Sequence, residues 1–453
     1  MERSQKLLAL SLSIPQFLAR LSSQGLVRYL DGRFTFSQNS MRTGLLNHLA
    51  HLPEKERFYR IAAQAAQLLF DENCESRYLV MAGGFLEEID ASEEAITLYV
   101  QALQNFHEHN LSQPLVQLFH RLEALGALYT LHQKEPPSAQ QFELETRSAW
   151  RHTNFRDLES LEQSLDRLKE IATRGFPAAN DHARAIEAMR LTVDGSIRVA
   201  TSILQEMAES TNERWLSRLI FERLSWSLEL SGQFEEAAEA SQKAIALTED
   251  LPVNNSLLGW NFTSLARILG RMGRFEDAQE YLDRGLQRFE IMGSLAGLSN
   301  VANTAGELAR ARGDFEAAEI AYRKAVRLRE LGGQFFPFVE TLNLFLVRIE
   351  RDSPEEIEPE AYQTLRDACV ESRNEIYMII IELIAAWRAL RLQNFPEFEL
   401  HWSQAHQEKS ELIEPDLLMI YEKITALLHK EGRKEWAYEA DENAQRLREA
   451  LEK

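Results

Sequence analysis

The chain has 453 residues, 45% of them apolar and 26% charged, a formal charge of −20 and two cysteines, Cys74 and Cys369. So acidic a balance argues against a broad phosphate-backbone footprint, which needs clustered Lys and Arg, and nucleic acid is therefore not the expected partner. Cysteines this far apart give no disulfide framework or thiol metal site and suit a reducing cytoplasm, and no stretch approaches the roughly 20 apolar residues of a membrane span.

Residues 1–19 carry Arg3 and Lys6 before LLALSLSIPQFLA, the outline of a secretory signal. Ser11, Ser13, Pro15 and Gln16 break the apolar run and Arg20 follows it, so the segment reads instead as the start of a folded module. Residues 14–24 have helical spacing through Ile14, Phe17, Leu18 and Leu21, and Gly25 stops them. GLVRYLDGRFTF then alternates around Asp31-Gly32, a two-residue turn favoured by tight hairpins, and residues 37–49 return to helix. This order resembles the winged-helix module that joins the ATPase core of STAND-class signalling proteins to their repeat arrays. Where that family reads F-x-F-x-H with a downstream Arg-Glu-Ala, this chain has Phe34-Thr35-Phe36-Ser37-Gln38 and Arg42-Thr43-Gly44, so the histidine is missing. LPEKERFYRIAAQAAQLL resembles the helix that opens such arrays. The resemblance implies a winged-helix-like segment over 1–52 and an upstream nucleotide-binding domain; the alternative is a small cap on a free-standing repeat protein.

Helical repeats begin near Leu68 in degenerate form, with Ala82-Gly83, Asp90, Ala95, Tyr99 and Ala102 as an early unit. The register blurs over 105–141, broken at Pro136-Pro137, and revives with Phe155, Leu158 and Leu165 and again with Gly195, Ile197, Ala200 and Met207. Three clear copies follow, in which Gly232, Gly273 and Gly313 stand 41 and 40 residues apart. Phe occurs two residues after each glycine (Phe234, Phe275, Phe315) and Ala five residues after (Ala237, Ala278, Ala318). Small residues also recur seven before (Ser225, Ala266, Gly306) and twelve after (Ala244, Gly285, Ala325).

Each glycine supplies a left-handed turn between two helices, and the small residues let those helices approach. Such hairpins bury their apolar faces only against their neighbours. The pattern resembles the tetratricopeptide repeat in its roughly forty-residue form. The expected fold is all-α, a right-handed superhelical solenoid over 53–350, an acidic loop at 351–360, and further repeats with a polar cap over 361–453. The later copies are read from Ala385-Ala386, Phe395, Phe398, Trp402 and Ala405, and from Gly432, Ala437 and Ala444.

No glycine is followed by Lys, and G-x-S-x-G and H-E-x-x-H are absent, so no phosphate loop, nucleophile elbow or zinc-protease helix can be drawn. His48 with His51 and His107 with His109 lack ligand partners at metal spacing, and His401 and His406, beside Trp402, read as packing residues. No catalytic, cofactor or metal residue is expected. The first helix of each hairpin should line a concave groove, with Glu222, Thr263, Asn303 and Asn343 in one column, Trp226, Arg267 and Glu307 in a second, Glu229, Gly270 and Arg310 in a third, and Trp260 and Asn300 leading. Asn amides hold peptide backbone, Arg holds a carboxylate or phosphate and Trp a flat apolar group. The expected ligand is a protein or peptide held by Trp226, Trp260, Arg267, Asn300, Asn303, Arg310 and Asn343, in a cytoplasmic sensor or scaffold. The competing function is a peptide-responsive transcriptional regulator with a DNA-binding winged helix, for which Arg28, Arg33 and Arg42 are the one modest basic cluster. Oligomeric state stays open.

Overall fold

A computed structural model describes residues 27–30, 33–36, 55–73, 76–103, 113–127, 131, 139–155, 158–211, 213–249, 257–332, 337–371, 377–406 and 412–451. The hairpin expected near Asp31-Gly32 is present. β1 (Val27–Leu30) pairs antiparallel with β2 (Arg33–Phe36), in a register that sets Val27 opposite Phe36 and Leu30 opposite Arg33. The helices expected on either side of it lie outside the described residues, as do His48, His51, His107, His109 and Cys74.

Among the described residues, all else with regular structure is helical. The chain divides into two compact units, one comprising Met1–Phe106 with Gln113–Leu144 and the other taking in Glu145–Lys453. The first holds α1 (Lys55–Asn73), α2 (Ser76–Glu87), α3 (Ser92–Leu103) and α4 (Gln113–Ala124). Its core gathers Leu79, Ala82, Ala95, Tyr99 and Leu103, and the α2–α3 turn passes through Asp90 at φ 58°. The division falls within α5 (Ala139–Phe155).

The second unit is a series of antiparallel helix pairs. It contains α6 (Leu158–Thr173), α7 (Ala178–Val193), α8 (Ile197–Ser210), α9 (Arg214–Leu230), α10 (Phe234–Ala246), α11 (Leu257–Arg271), α12 (Phe275–Met292), α13 (Leu295–Ala311) and α14 (Phe315–Leu331). It continues with α15 (Phe338–Glu350), α16 (Pro359–Glu371), α17 (Met378–Arg391), α18 (Phe395–Ala405), α19 (Pro415–Lys430) and α20 (Lys434–Leu451). Gly232, Gly273 and Gly313 take φ 77°, 74° and 79°, the left-handed turn that the spacing requires. The small positions sit where paired helices meet. Ala237, Ala278 and Ala318 are fully buried, Ser225 donates to the Ala237 carbonyl at 2.8 Å, and a Cβ on Gly306 would come within 2.5 Å of the Tyr322 ring.

The period also runs on where glycine does not mark it. Asp352 (φ 53°) and Gln393 (φ 57°) hold the left-handed position 39 and 80 residues after Gly313, and Gly432 (φ 69°) holds it 39 residues after Gln393. The acidic stretch at 351–360 is thus the turn of the α15–α16 hairpin together with the first two residues of α16. It carries one 3₁₀ turn, Pro354–Glu356, and is anchored by the buried Ile357, whose carbonyl accepts from Arg388 at 2.9 Å. α17–α18 and α19–α20 follow as expected, with Phe398, Trp402, Ala405, Ala437 and Ala444 in one core. Arg348 lies beside the turn, and its side chain donates to the Glu356 carbonyl at 2.5 Å.

Candidate inner-wall binding cavity

The first helices of successive hairpins, α9, α11, α13, α15 and α17, all contribute side chains to one inner surface of the second unit. Side chains four residues apart on a helix share a face, and Asn303 and Asn343 of the first column meet here. Asn303 donates to Glu307 at 3.0 Å within α13, and Asn343 of α15 donates across to the Asn303 side-chain Oδ1 at 3.0 Å and to Glu307 at 3.1 Å. Asn300 donates to Thr263 at 2.7 Å, bridging α13 to α11. The asparagines therefore bridge neighbouring hairpins.

Trp226, Arg267, Asn300, Asn303 and Asn343 come together around a cavity of about 320 Å³, which Tyr377 and Glu307 also line. Arg310 lines an adjoining cavity of about 420 Å³, together with Arg267, Arg271 and Glu307. Trp260 lines neither, and its ring instead meets Phe289 edge-on at 5.4 Å.

The wall is also an ion-pair network. Arg267 grips Glu229 with two hydrogen bonds of 2.7 Å, and Arg271 reaches the same carboxylate at 3.3 Å. Burial pushes the Glu229 carboxyl up, but Arg267 and Arg271 outweigh it and hold the group below the usual carboxylate range. Arg271 also binds Glu414, and Arg310 donates to Asp416 at 2.5 Å and lies 3.6 Å from Glu350. Glu414 and Asp416 flank Pro415 at the start of α19, where the Ile413 amide also donates to the Leu230 carbonyl at 3.0 Å. The chain's own segment at 412–416 thus meets the arginines of the central repeats. Burial pushes Glu414 up to about 7 against the pull of Arg271, helped by Asp416 and Glu229. Burial works on Asp416 in the same sense, but Arg310 and Arg271 hold it low.

Arg271, Glu414, Asp416 and Tyr377 escaped the repeat reading. The acids of Glu414-Pro415-Asp416 are visible in the sequence, yet no spacing rule connects them with arginines 143 and 106 residues earlier. Of the two readings for His401 and His406, surface or packing, their contacts fit packing. His401 Nδ1 lies 2.7 Å from the buried Glu382 carboxylate, and His406 bridges the Trp402 carbonyl at 2.7 Å and the Tyr421 hydroxyl at 3.0 Å.

The tetratricopeptide repeat family model matches residues 253–330, which hold two of the three clear copies. No curated protein matches the sequence. Among solved structures, the chain is similar to a Rap protein complexed with Competence and Sporulation Factor, at 12% identity and a TM-score of 0.58, covering 81% of this chain and 98% of that one. It is also similar to the APC/C hetero-tetramer Cut9–Hcn1, at 12% identity and a TM-score of 0.52, covering 90% and 78%. A STAND protein with a tetratricopeptide repeat sensor from Pyrococcus horikoshii aligns at 14% identity and a TM-score of 0.40, covering 99% of this chain and 60% of that one. Residues 253–330 are tetratricopeptide repeats, and the described helices have the all-α solenoid fold of tetratricopeptide-type repeat proteins.

Proposed function

We infer that the chain is a non-catalytic binding module, a cytoplasmic sensor or scaffold whose inner wall takes an extended peptide segment of a ligand or partner protein. The observation that carries this reading is the shared cavity of Trp226, Asn300, Asn303 and Asn343, which combines an aromatic face with a row of amides. Side-chain amides both donate to and accept from a peptide backbone, and binding in a concavity buries a large share of a ligand's surface. The Rap protein of like fold was crystallised with Competence and Sporulation Factor, which supports a ligand-binding role for this architecture. The finer reading, that these repeats are the ligand-sensing part of a STAND-type signalling protein with a nucleotide switch upstream, rests on the sequence of residues 14–70.

The test is binding of dye-labelled random hexapeptides to the full chain. Asn303→Ala and Trp226→Ala are each expected to weaken capture at least tenfold with the fold retained by circular dichroism. Capture unchanged in both variants would remove the inner wall as the site.

A further inference from the structure

The guanidinium groups of the inner wall already have partners. Arg267 and Arg271 hold Glu229, Arg271 also holds Glu414, Arg310 holds Asp416 and Glu350, and Arg329 holds Glu340. Lys423 donates to the Glu350 carbonyl and, among the described residues, otherwise reaches Asp352 alone. A ligand carboxylate or phosphate would have to share a guanidinium with a carboxylate that is already bound to it.

Glu307 is the carboxylate left over. Among the described residues no cation stands within ion-pair distance of it, and its Oε1 accepts only the amides of Asn303 and Asn343. Its Oε2 is buried and accepts no hydrogen bond, although Glu307 lines both cavities. A buried carboxylate oxygen without a donor is costly, and burial accordingly pushes the Glu307 carboxyl above its ordinary range against the pull of Arg267 and Arg271. The other open groups of the cavity have the same character. Asn300 and Asn343 use their amide nitrogens on protein neighbours, while their oxygens accept nothing among the described residues. The Trp226 ring adds a π face, which attracts cations. The cavity thus has open acceptors, a π face and a buried carboxylate without an ion-pair partner, while the guanidinium groups that also line it, Arg267, Arg271 and Arg329, are paired with Glu229, Glu414 and Glu340.

We propose that this cavity binds an alkylammonium or guanidinium group carried by the bound peptide, with Glu307 as its counter-ion and Trp226, Asn300 and Asn343 completing its surroundings. The inference rests on the peptide-binding reading above and adds its charge specificity. A cation would supply the donors that Glu307 Oε2 lacks and restore charge balance inside the wall.

The experiment uses the full chain and two pools of dye-labelled hexapeptides, blocked at both ends. One pool carries Lys or Arg at a single position, and the other carries ε-acetyl-lysine or citrulline there. Agmatine serves as a free cation competitor. The basic pool is expected to bind at least tenfold more tightly than the neutral pool, and Glu307→Gln, which keeps an acceptor for Asn303 and Asn343, is expected to abolish that preference. Equal binding of the two pools to the unmodified chain would overturn the cation site and leave the peptide reading standing. Binding of agmatine alone, prevented by Glu307→Gln, would support the cation site with a free amine as its source and remove the peptide. Failure of both pools and of agmatine would overturn both readings.

Discussion

Arg310 of α13 donates to Asp416 at the start of α19 across 2.5 Å, fastening two helices whose partners are 106 residues apart in the chain. Their side chains are only 13% and 11% exposed, so each charge draws its nearest compensation from the other, with Glu350 and Arg271 further off. Breaking such a pair from one side costs about 3–5 kcal/mol, whereas replacing both members by apolar residues is often nearly neutral. Arg310→Met and Asp416→Leu are each expected to lower unfolding stability by about 3 kcal/mol in urea titrations, and the double variant by clearly less than the sum. Additive losses would show that the two charges are not coupled.

Such long-range pairs separate what the sequence carries from what it does not. Hairpin packing is local, so Gly232, Ser225 and Ala237 announce it by spacing alone, and their left-handed turn, buried hydroxyl and buried methyl follow. The asparagine column was equally legible, because one offset counted back from each turn places Asn303 beside Asn343. The identity of Arg267's partner was not. Glu307, in the same column, is the acid that the offset offers, and the structure pairs Arg267 with Glu229 of α9 instead. Glu414 and Asp416 were out of reach, since they meet the wall through the placement of α19 rather than through any repeat of the pattern.

Glycine plays two different roles in the repeats, and substitution should distinguish them. At Gly306 an added methyl would meet the buried Tyr322 ring, and overpacking of this kind costs about 1–3 kcal/mol. At Gly273 the same methyl would meet nothing within 4 Å, and the penalty arises from φ 74° alone, about 1–2 kcal/mol. Gly306→Ala should therefore be rescued in part by Tyr322→Leu, which removes the ring from the contact, but not by Tyr322→Phe, which keeps it, and Gly273→Ala should be indifferent to either. Thermal unfolding of the single and double variants measures the difference.

Glu414 makes stability depend on pH in a defined sense. Its folded-state value, pushed by burial up to about 7 against Arg271, lies above its ordinary 4.5, so between those values the folded chain holds a proton that the unfolded chain has released. Its contribution is therefore fully present below 4.5 and is lost as pH rises toward 7. The charged groups facing it are Arg271 on α11, Glu229 on α9 and Asp416 on its own segment, and the Tyr377 hydroxyl also lies within their field. Glu229 and Asp416 are held low and act in the opposite sense at more acid pH. Relative to Glu414→Gln, the unmodified chain should lose unfolding stability across this window; parallel profiles for the two proteins would contradict the assignment.

Gln393 occupies the turn between α17 and α18 at φ 57°, a position that glycine fills at Gly232, Gly273, Gly313 and Gly432. A residue with a Cβ in the left-handed region carries a penalty of about 1–2 kcal/mol, because the Cβ crowds the following carbonyl oxygen. Glycine removes that crowding and adds some freedom to the unfolded chain, which offsets up to about 1 kcal/mol of the gain. The Gln393 amide nitrogen donates to the Leu390 carbonyl at 3.0 Å through the backbone, a bond that glycine keeps. Gln393→Gly should then stabilise the chain by a few tenths to about 1 kcal/mol, whereas glycine at the helical neighbour Arg391 should destabilise it by a similar amount. Urea midpoints of the two variants read opposite signs if the turn geometry is right, and a loss of stability in both would refute it.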